Sequence, residues 1–498
     1  MNMLRIAMPT QLKPIYVILM AAASVVLLFA LFVYIAYAYN LITFPFDYDQ
    51  GEGFELVDTV MFSEGHWPYQ NTEAFPFYSS NYPPLYHVLL APFVWFFGTA
   101  YWYGRLFSFA TTIVTAGAIF WVVYQQNRLR WIALLAALAF FSSNTVYHIG
   151  PLFRQHISMV MFETLAVVVL AHAFPHKKTG GIVLGLLLLI AAGYTKQLAA
   201  ITAIAALAWM ILRNPRRGIL WSIGFTIVGT AIFAWMYIDT NGEWWRQAIV
   251  ANVNEFTPAQ AIGLIRLWIG LHGALIIPAV LYVMYEVYFS RISLYSVWFV
   301  FAAILGAVGS GTWGAGDSYF ATAIAAMCIL SGLFFSKLLS GDWQFTDSLY
   351  KRWLITPLGG LSKPIVVVSA IAIPLLYLAY GVATFKMPTT GTVFGTIANA
   401  LNIQPNVTDD FYDSATWIAL GYAQIGQFTT AEDVAAGYEI VEAIQNTPTH
   451  VISEDAGFSM VAGREVITNP TQLRNLWLAG LWQGDEIIGM LENQEFGL

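Results

Sequence analysis

The chain is predicted to be an α-helical polytopic membrane protein with about 11 transmembrane helices and a small extracytoplasmic α/β C-terminal domain. Three observations carry that expectation. Of 498 residues, 58% are hydrophobic and only 10% charged, where a soluble domain is about half apolar and about a quarter charged; the mean hydropathy is +0.63. Apolar runs long enough to span recur along the first 384 residues. After about residue 385 the composition inverts, with fourteen acidic residues against Lys386, Arg464 and Arg474.

Taken in order, spans are expected at 14–39, 102–124, 131–148, 157–174, 180–195, 197–212, 218–238, 263–288, 293–310, 319–336 and 364–384. The first is too long for a signal-peptide core and reads as an uncleaved helix. Charge tests the count independently, because inner loops are enriched in Lys and Arg. An odd number of spans puts the N-terminus inside and the tail outside, and fourteen of 22 basic residues, from Arg5 to Lys363, then fall inside. The segment 82–98 is apolar as well, but a crossing there would move "RLR", "HKK" and "RNPRR" to the outer side. It therefore reads as an interfacial helix introduced by Pro83-Pro84, within a first outer loop of 40–101. In the tail, Thr429 to Glu432 reads as a capping box opening a helix. "HVISED" (His450 to Asp455) and the start of "REVITNPTQLRNLWLAG" (Arg464 to Gly480) read as short strands. The lone cysteine, Cys328, allows no internal disulfide.

Chemistry is expected in the first outer loop. Residues 40–82 hold Asp47, Asp49, Glu52, Glu55, Asp58, Glu64 and Glu73 and no Lys or Arg. They are interleaved with aromatics that suit a loop folded onto the membrane face, although an acidic run is also what a merely solvated loop looks like. Arg105, Arg154, Lys196, Arg246 and Arg266 break the charge pattern as isolated cations near outer span ends. Each either snorkels to lipid head groups or helps hold an anion. Lys196 and Arg154 stand out, the first in a hairpin between two short spans, the second beside Gln155 and His156. Carboxylates beside isolated cations fit transfer of a group from a lipid phosphate. His66, His87, His148 and His156 leave room for a divalent cation with Asp47, Asp49 or Glu52, without matching a metal motif. No nucleotide-binding loop is present. A transporter would need ionisable groups along a midplane path, for which Glu163 and Glu286 qualify; a non-catalytic scaffold is a third alternative.

"YDQGEG" (Tyr48 to Gly53), "SEGHWPYQN" (Ser63 to Asn71), "NYPPLYHVLLAPFVWFFG" (Asn81 to Gly98) and "GRLFS" (Gly104 to Ser108) resemble the start of the membrane glycosyltransferases of superfamily C (GT-C). The resemblance is to the clan of protein O-mannosyltransferases and lipid A aminoarabinose transferases. "YTKQ" (Tyr194 to Gln197) and Val451 to Leu473 are similar to its later blocks. The resemblance implies an inverting enzyme that moves a sugar from a polyprenyl-phosphate donor to a lipid, glycan or protein acceptor at the outer face. No cofactor is required on this reading, with a divalent cation left open, and the absence of a Lys/Arg cluster gives no reason to expect a nucleic-acid partner. The family acid falls on Asp49, followed here by Gln50 where the pattern commonly has Glu, with Glu52 as the next carboxylate. The expected site is therefore Asp49 as the general base with Glu52 as the supporting catalytic carboxylate, and Lys196, Arg154 and Arg105 on the donor phosphate. Asp47, Tyr82, His156, Gln197 and Asp317 are the further substrate contacts, and the metal, if any, is unassigned.

Overall fold

The computed structural model of the chain describes residues 12–347, 349–357, 362–403 and 426–497. Arg5 and the tail acids Asp409, Asp410 and Asp413 lie outside the described residues.

Each expected span is a helix. Seven are long and apolar enough to cross a membrane: α1 (Lys13–Thr43), α4 (Trp102–Asn127), α7 (His156–Ala173), α10 (Pro215–Asp239), α12 (Pro258–Phe289), α14 (Ala321–Ser340, entered through a short turn at Asp317–Phe320) and α15 (Ser362–Thr384). The other four are shorter: α5 (Arg130–Ser142), α8 (Thr179–Thr195), α9 (Ala200–Arg213) and α13 (Leu294–Gly309). The run expected at 131–148 is broken at Ser143, whose backbone is extended (φ −61°, ψ 131°), and restarts as α6 (Asn144–Ile149). In hydrocarbon a helix satisfies its backbone internally, so apolar runs in this chain have little other choice.

Small residues set how closely these helices pack. α14 is almost entirely buried and contacts α4, α5, α7, α12, α13 and α15. At Gly332 it comes so near α4 and α5 that an added Cβ would lie 2.6 Å from Val123 and 3.1 Å from Ala136. Gly181 and Gly185 let α8 lie against α7 in the same way, at Ala173 and Leu170. Such contacts substitute for a hydrophobic driving force that lipid does not supply.

Between α1 and α4 the chain forms α2 (Gln50–Ser63) and α3 (Leu85–Phe97). α3 has 13 residues, about 20 Å of helix against about 30 Å of hydrocarbon, and nothing extends it, whereas α5, of the same length, is continued by α6 to Ile149. α3 starts after Pro84, ends at Gly98 with φ 73°, and exposes Trp95, Phe96 and Phe97, as the interfacial expectation requires.

The tail departs from expectation. Its described part contains α16 (Thr396–Leu401), α17 (Ala431–Asn446), α18 (Ala456–Val461), α19 (Pro470–Leu478) and α20 (Asp485–Glu492), and no strand among the described residues. The only pairing there is an isolated bridge between His450 and Phe496. The apolar residues that suggested strands pack on one side only. Ile452 and Ile467 pack with Phe75 and Phe77 of the outer loop and with Leu473, Leu476 and Ile487, and a segment covered this way needs no partner strand. The capping box of α17 is Thr430 with Asp433, one residue later than expected, because Thr429 bonds to Asn40 at the end of α1 instead.

The helix contacts can be tested at two glycines. Gly332→Ala should lower the thermal midpoint of the purified protein in detergent, since overpacking costs about 1–3 kcal/mol. Gly117→Ala, on an exposed face of α4 with nothing within 4 Å of the new Cβ, should leave it unchanged or raised.

Candidate active site

The site begins where α1 hands over to α2. Asp49 is the N-cap of α2 and accepts from Gly51 N at 2.8 Å. Glu52, three residues on, reaches back to Tyr48 N at 2.9 Å and Asp49 N at 3.5 Å, completing a capping box. Arg105 of α4 closes the turn from inside. It donates to Leu41 O at 2.6 Å, to Phe44 O and Phe46 O at 2.7 Å, and to the two Glu52 oxygens at 2.9 and 2.6 Å. That uses all the donors a guanidinium has. Glu52 takes a further bond from Phe153 N at 2.5 Å. Burial pushes the Glu52 carboxyl up, but the Arg105 charge and the converging N–H groups outweigh it and hold the group below its usual value.

This overturns two expectations. Glu52 and Arg105 are both fully buried and spend their polar atoms on each other and on backbone, so neither is presented to a substrate. Asp47 is likewise structural. It accepts from Tyr101 OH and from Gly457 N, the latter at 3.1 Å, tying the tail to the loop, and lies off the cavity wall. Asp317 accepts from Thr145 Oγ1 at 2.8 Å and Asn144 Nδ2 at 3.3 Å, behind the Gly316–Ser318 wall.

A cavity of about 700 Å³ opens beside α2. Four of the expected residues line it together with Arg154: Tyr82, His156, Lys196 and Gln197. Lys196 sits in extended backbone between α8 and the turn leading to α9, the hairpin expected from sequence. Its Nζ donates to His156 Nδ1 at 2.5 Å and lies 5.2 and 5.8 Å from the ring centres of Tyr82 and Tyr319, where cation–π attraction offsets part of its burial. Because Nδ1 of His156 accepts, Nε2 carries that ring's proton, and it has no partner among the described residues. Gln197 spends its amide on Asn81 O and Ala248 O, at 2.9 and 2.8 Å, and so shapes the wall. Arg154 donates to Asp49 Oδ1 at 2.8 Å and stands 3.5 Å from Glu55. It fits there because residue 51 is glycine; a Cβ would occupy the guanidinium position. Arg246 pairs with Glu243 at 3.0 Å, and Arg266 is exposed.

The carboxylates on the wall are Glu55 and Asp58 of α2, with Glu454 of the tail, while Asp49 is buried behind them. Burial raises Glu55 to about 8, against the opposing pull of Arg154. Turned so that its nitrogen faces Glu55, the Gln155 amide lies 2.7 and 3.2 Å from the two carboxyl oxygens. Burial also raises Asp58, to about 7, although Tyr78 and Ser80 donate to it. Tyr82 is pushed up to about 12 by burial. The sequence contained a pointer to this arrangement. Asp49-x-x-Glu52 is a capping-box pattern, which commits Glu52 to the helix end and leaves Glu55 and Asp58, one and two turns on, for the face beyond. The tail's share of the wall, Asn469 to Asn475 with Glu454, had no such signal. Among the described residues no group of three or more His, Cys, Asp or Glu is arranged to hold a metal ion.

Neither a family model nor a curated protein sequence matches the chain. Solved structures do. ArnT from Cupriavidus metallidurans in the apo state aligns with a TM-score of 0.52 at 14% identity, over 96% of this chain and 89% of that one. The chain has the GT-C fold. ArnT bound to undecaprenyl phosphate aligns with the same TM-score at 13% identity, over 93% and 87% of the two chains.

Breaking the ion pair under α2 should be strongly destabilising. Glu52→Gln leaves a buried guanidinium unmatched and should cost about 3–5 kcal/mol, read as a lowered thermal midpoint in detergent. Arg105→Lys should lower the midpoint as well, because an ammonium has three donors where five acceptor contacts wait.

Proposed function

We propose that the chain is an inverting glycosyltransferase that moves a sugar from a polyprenyl-phosphate donor to an acceptor hydroxyl at the outer face of the membrane, with the N-terminus cytoplasmic and the tail extracytoplasmic. The observation that carries the reading is a cavity in which Arg154, Lys196 and His156 stand together with a buried carboxyl, Glu55, which lies 3.5 Å from Arg154. The likeness in fold to ArnT, one structure of which holds undecaprenyl phosphate, supports the choice of donor. Both acids that a transporter would use are tied down locally. Glu163 bonds to Thr202 and Thr322 at 2.5 and 2.6 Å, and Glu286 to Ser293 N and Ser296 Oγ at 2.7 Å.

In this reading Arg154, Lys196 and the Nε2–H of His156 receive the donor phosphate, and no cofactor is invoked. Glu55 takes the proton of the acceptor hydroxyl as its oxygen bonds to the anomeric carbon. The bond from that carbon to the phosphate oxygen breaks on the opposite face, and its electron pair stays on the phosphate beside the cations. Asp49 is the second reading for the base. Its favouring observation is the Arg154 contact, which places it one guanidinium away from the same phosphate.

Three variants separate these roles. Lys196→Ala should weaken undecaprenyl phosphate binding about tenfold to a hundredfold, the loss of one charge-assisted contact of about 1.5–3 kcal/mol. Glu55→Gln should keep that affinity and lower turnover by about 10² to 10⁴. Since the base works only when ionised, wild-type turnover should rise with pH through about 8. If Glu55→Gln stays active while Asp49→Asn does not, the base is Asp49. Full activity in both would end the reading.

Orientation is read by thiol labelling, the native Cys328 being buried. Cysteines replacing the exposed Glu64 and Glu486 should react with an impermeant reagent in intact cells, and one replacing exposed Arg128 only after lysis. Reaction at position 128 from outside would invert the topology.

A further inference from the structure

His87 of α3 is fully buried between two acidic side chains of α2. Its Nε2 lies 3.2 Å from Glu55 Oε2 and 3.7 Å from Asp58 Oδ2, yet makes no hydrogen bond to any described residue. The tautomer explains why. Nδ1 faces Glu55 O at 3.2 Å and Thr59 Oγ1 at 3.3 Å. The carbonyl has no proton to give, and the Thr59 hydroxyl spends its own on the same carbonyl at 2.7 Å. Nδ1 must therefore be the protonated nitrogen, and Nε2 presents a bare lone pair. Two ionised carboxylates next to that lone pair would leave three acceptors and no proton among them, an arrangement burial makes costly.

We propose that His87 holds one proton jointly with Glu55 and Asp58 and passes it between them, so that Glu55 can be emptied of its proton when an acceptor arrives. The inference rests on Glu55 being the base proposed above. In the empty site the proton is on Glu55, donated to Nε2. When the acceptor hydroxyl seats against Glu55, the proton leaves Oε2, crosses Nε2 and ends on Asp58 Oδ2. The three groups keep a net charge of minus one throughout this shift. Glu55 is then ionised and takes the hydroxyl proton as the sugar transfers, and one of the two protons now held passes to the departing phosphate monoester or to solvent in the opened cavity, which returns the three groups to a net charge of minus one. His87 touches no substrate and is a positioning residue.

The surroundings suit this. Burial keeps the His87 ring neutral, with its pKa down at about 3, while both carboxyls are raised. Tyr78 and Ser80 donate to Asp58 and steady its charged form. Arg154 and Lys196 favour ionised Glu55; Asp49 and Asp58 oppose it. Tyr69 and Tyr78 remain protonated, their own values pushed well above the usual one by burial. Phe62 stacks on the imidazole with ring centres 6.2 Å apart, which fixes the plane in which Nε2 points.

Two readouts test the proposal on the full-length protein. Infrared difference spectra at pH 7 should show a protonated-carboxyl band that disappears in Glu55→Gln and shifts in His87→Gln. In assays with a polyprenyl-phosphate sugar, His87→Gln should lower kcat about tenfold or more and move the pH midpoint of turnover by about one unit, or 1.4 kcal/mol, with undecaprenyl phosphate affinity unchanged. Asp58→Asn, which keeps one acceptor oxygen for the Tyr78 and Ser80 hydroxyls but cannot receive the proton, should reproduce the kinetic effect and guards against a His87 variant that fails to fold. An infrared spectrum without the band, or an unmoved pH profile in a folded His87→Gln or Asp58→Asn protein, overturns the relay. If instead Glu55→Gln retains full turnover while the band behaves as described, the base assignment fails and the shared proton stands.

Discussion

The Arg105–Glu52 pair is the constraint on which the outer part of the molecule is built. Its two side chains join five pieces of chain: the last turn of α1 through Leu41 O, the crossing segment through Phe44 O and Phe46 O, the first turn of α2, α4, and Phe153 just before Arg154. A desolvated ion pair is a weak source of net stability, because stripping water from both charges costs about as much as their attraction returns. Geometry is what it supplies. With the root of α2 fixed at this point, Glu55 and Asp58 emerge one and two turns later at a set angle to Arg154, and Asp47 and Tyr48 are held where the tail meets them at Gly457 and Gln427.

The cavity that results mixes charges in an unusual proportion for so dry a place. Arg154, Lys196 and the carboxyl groups of Asp49, Glu55 and Asp58 meet within a few side-chain lengths, with Arg154 paired to Asp49 at 2.8 Å and standing 3.5 Å from Glu55. The rest are managed by softer means. Aromatic faces and an imidazole attend Lys196, an amide and a neutral histidine attend Glu55, and hydroxyl groups attend Asp58. Groups held this loosely change protonation or partner at small cost, which is what group transfer at a lipid phosphate demands.

Much of this was legible in the sequence, and the reasons differ by feature. The helices were, because hydrocarbon leaves an apolar run of that length a single solution. The place of Lys196 and Arg154 on a cavity wall was foreshadowed, because a cation without neighbours of either sign near a span end has to be accounted for. Arg105 satisfied the same criterion and was misread: its partners are mostly main-chain carbonyls of residues 41–46, and carbonyls have no signature in a sequence. Glu52 and Glu55 differ only in phase around α2, and the cap at Asp49 is what tells the one paired with Arg105 from the one on the cavity wall. The tail was misjudged for a related reason. Runs such as "HVISED" have strand-like composition, but here their apolar side chains are covered by Phe75 and Phe77 from 370 or more residues away, information that no local pattern contains.

The wall of the cavity draws on both ends of the chain, from Gln50 to Asn475, and the Asp47–Gly457 bond alone joins residues 410 apart. A ribosome making this protein releases the carboxylate helix early and the closing segment last. Every shorter nascent chain therefore carries α2 and the cations without the surface that completes their enclosure. Assembly at such long range is slow to nucleate. It also gives the cell a natural ordering, in which insertion of the whole bundle precedes the first moment at which a substrate could be enclosed.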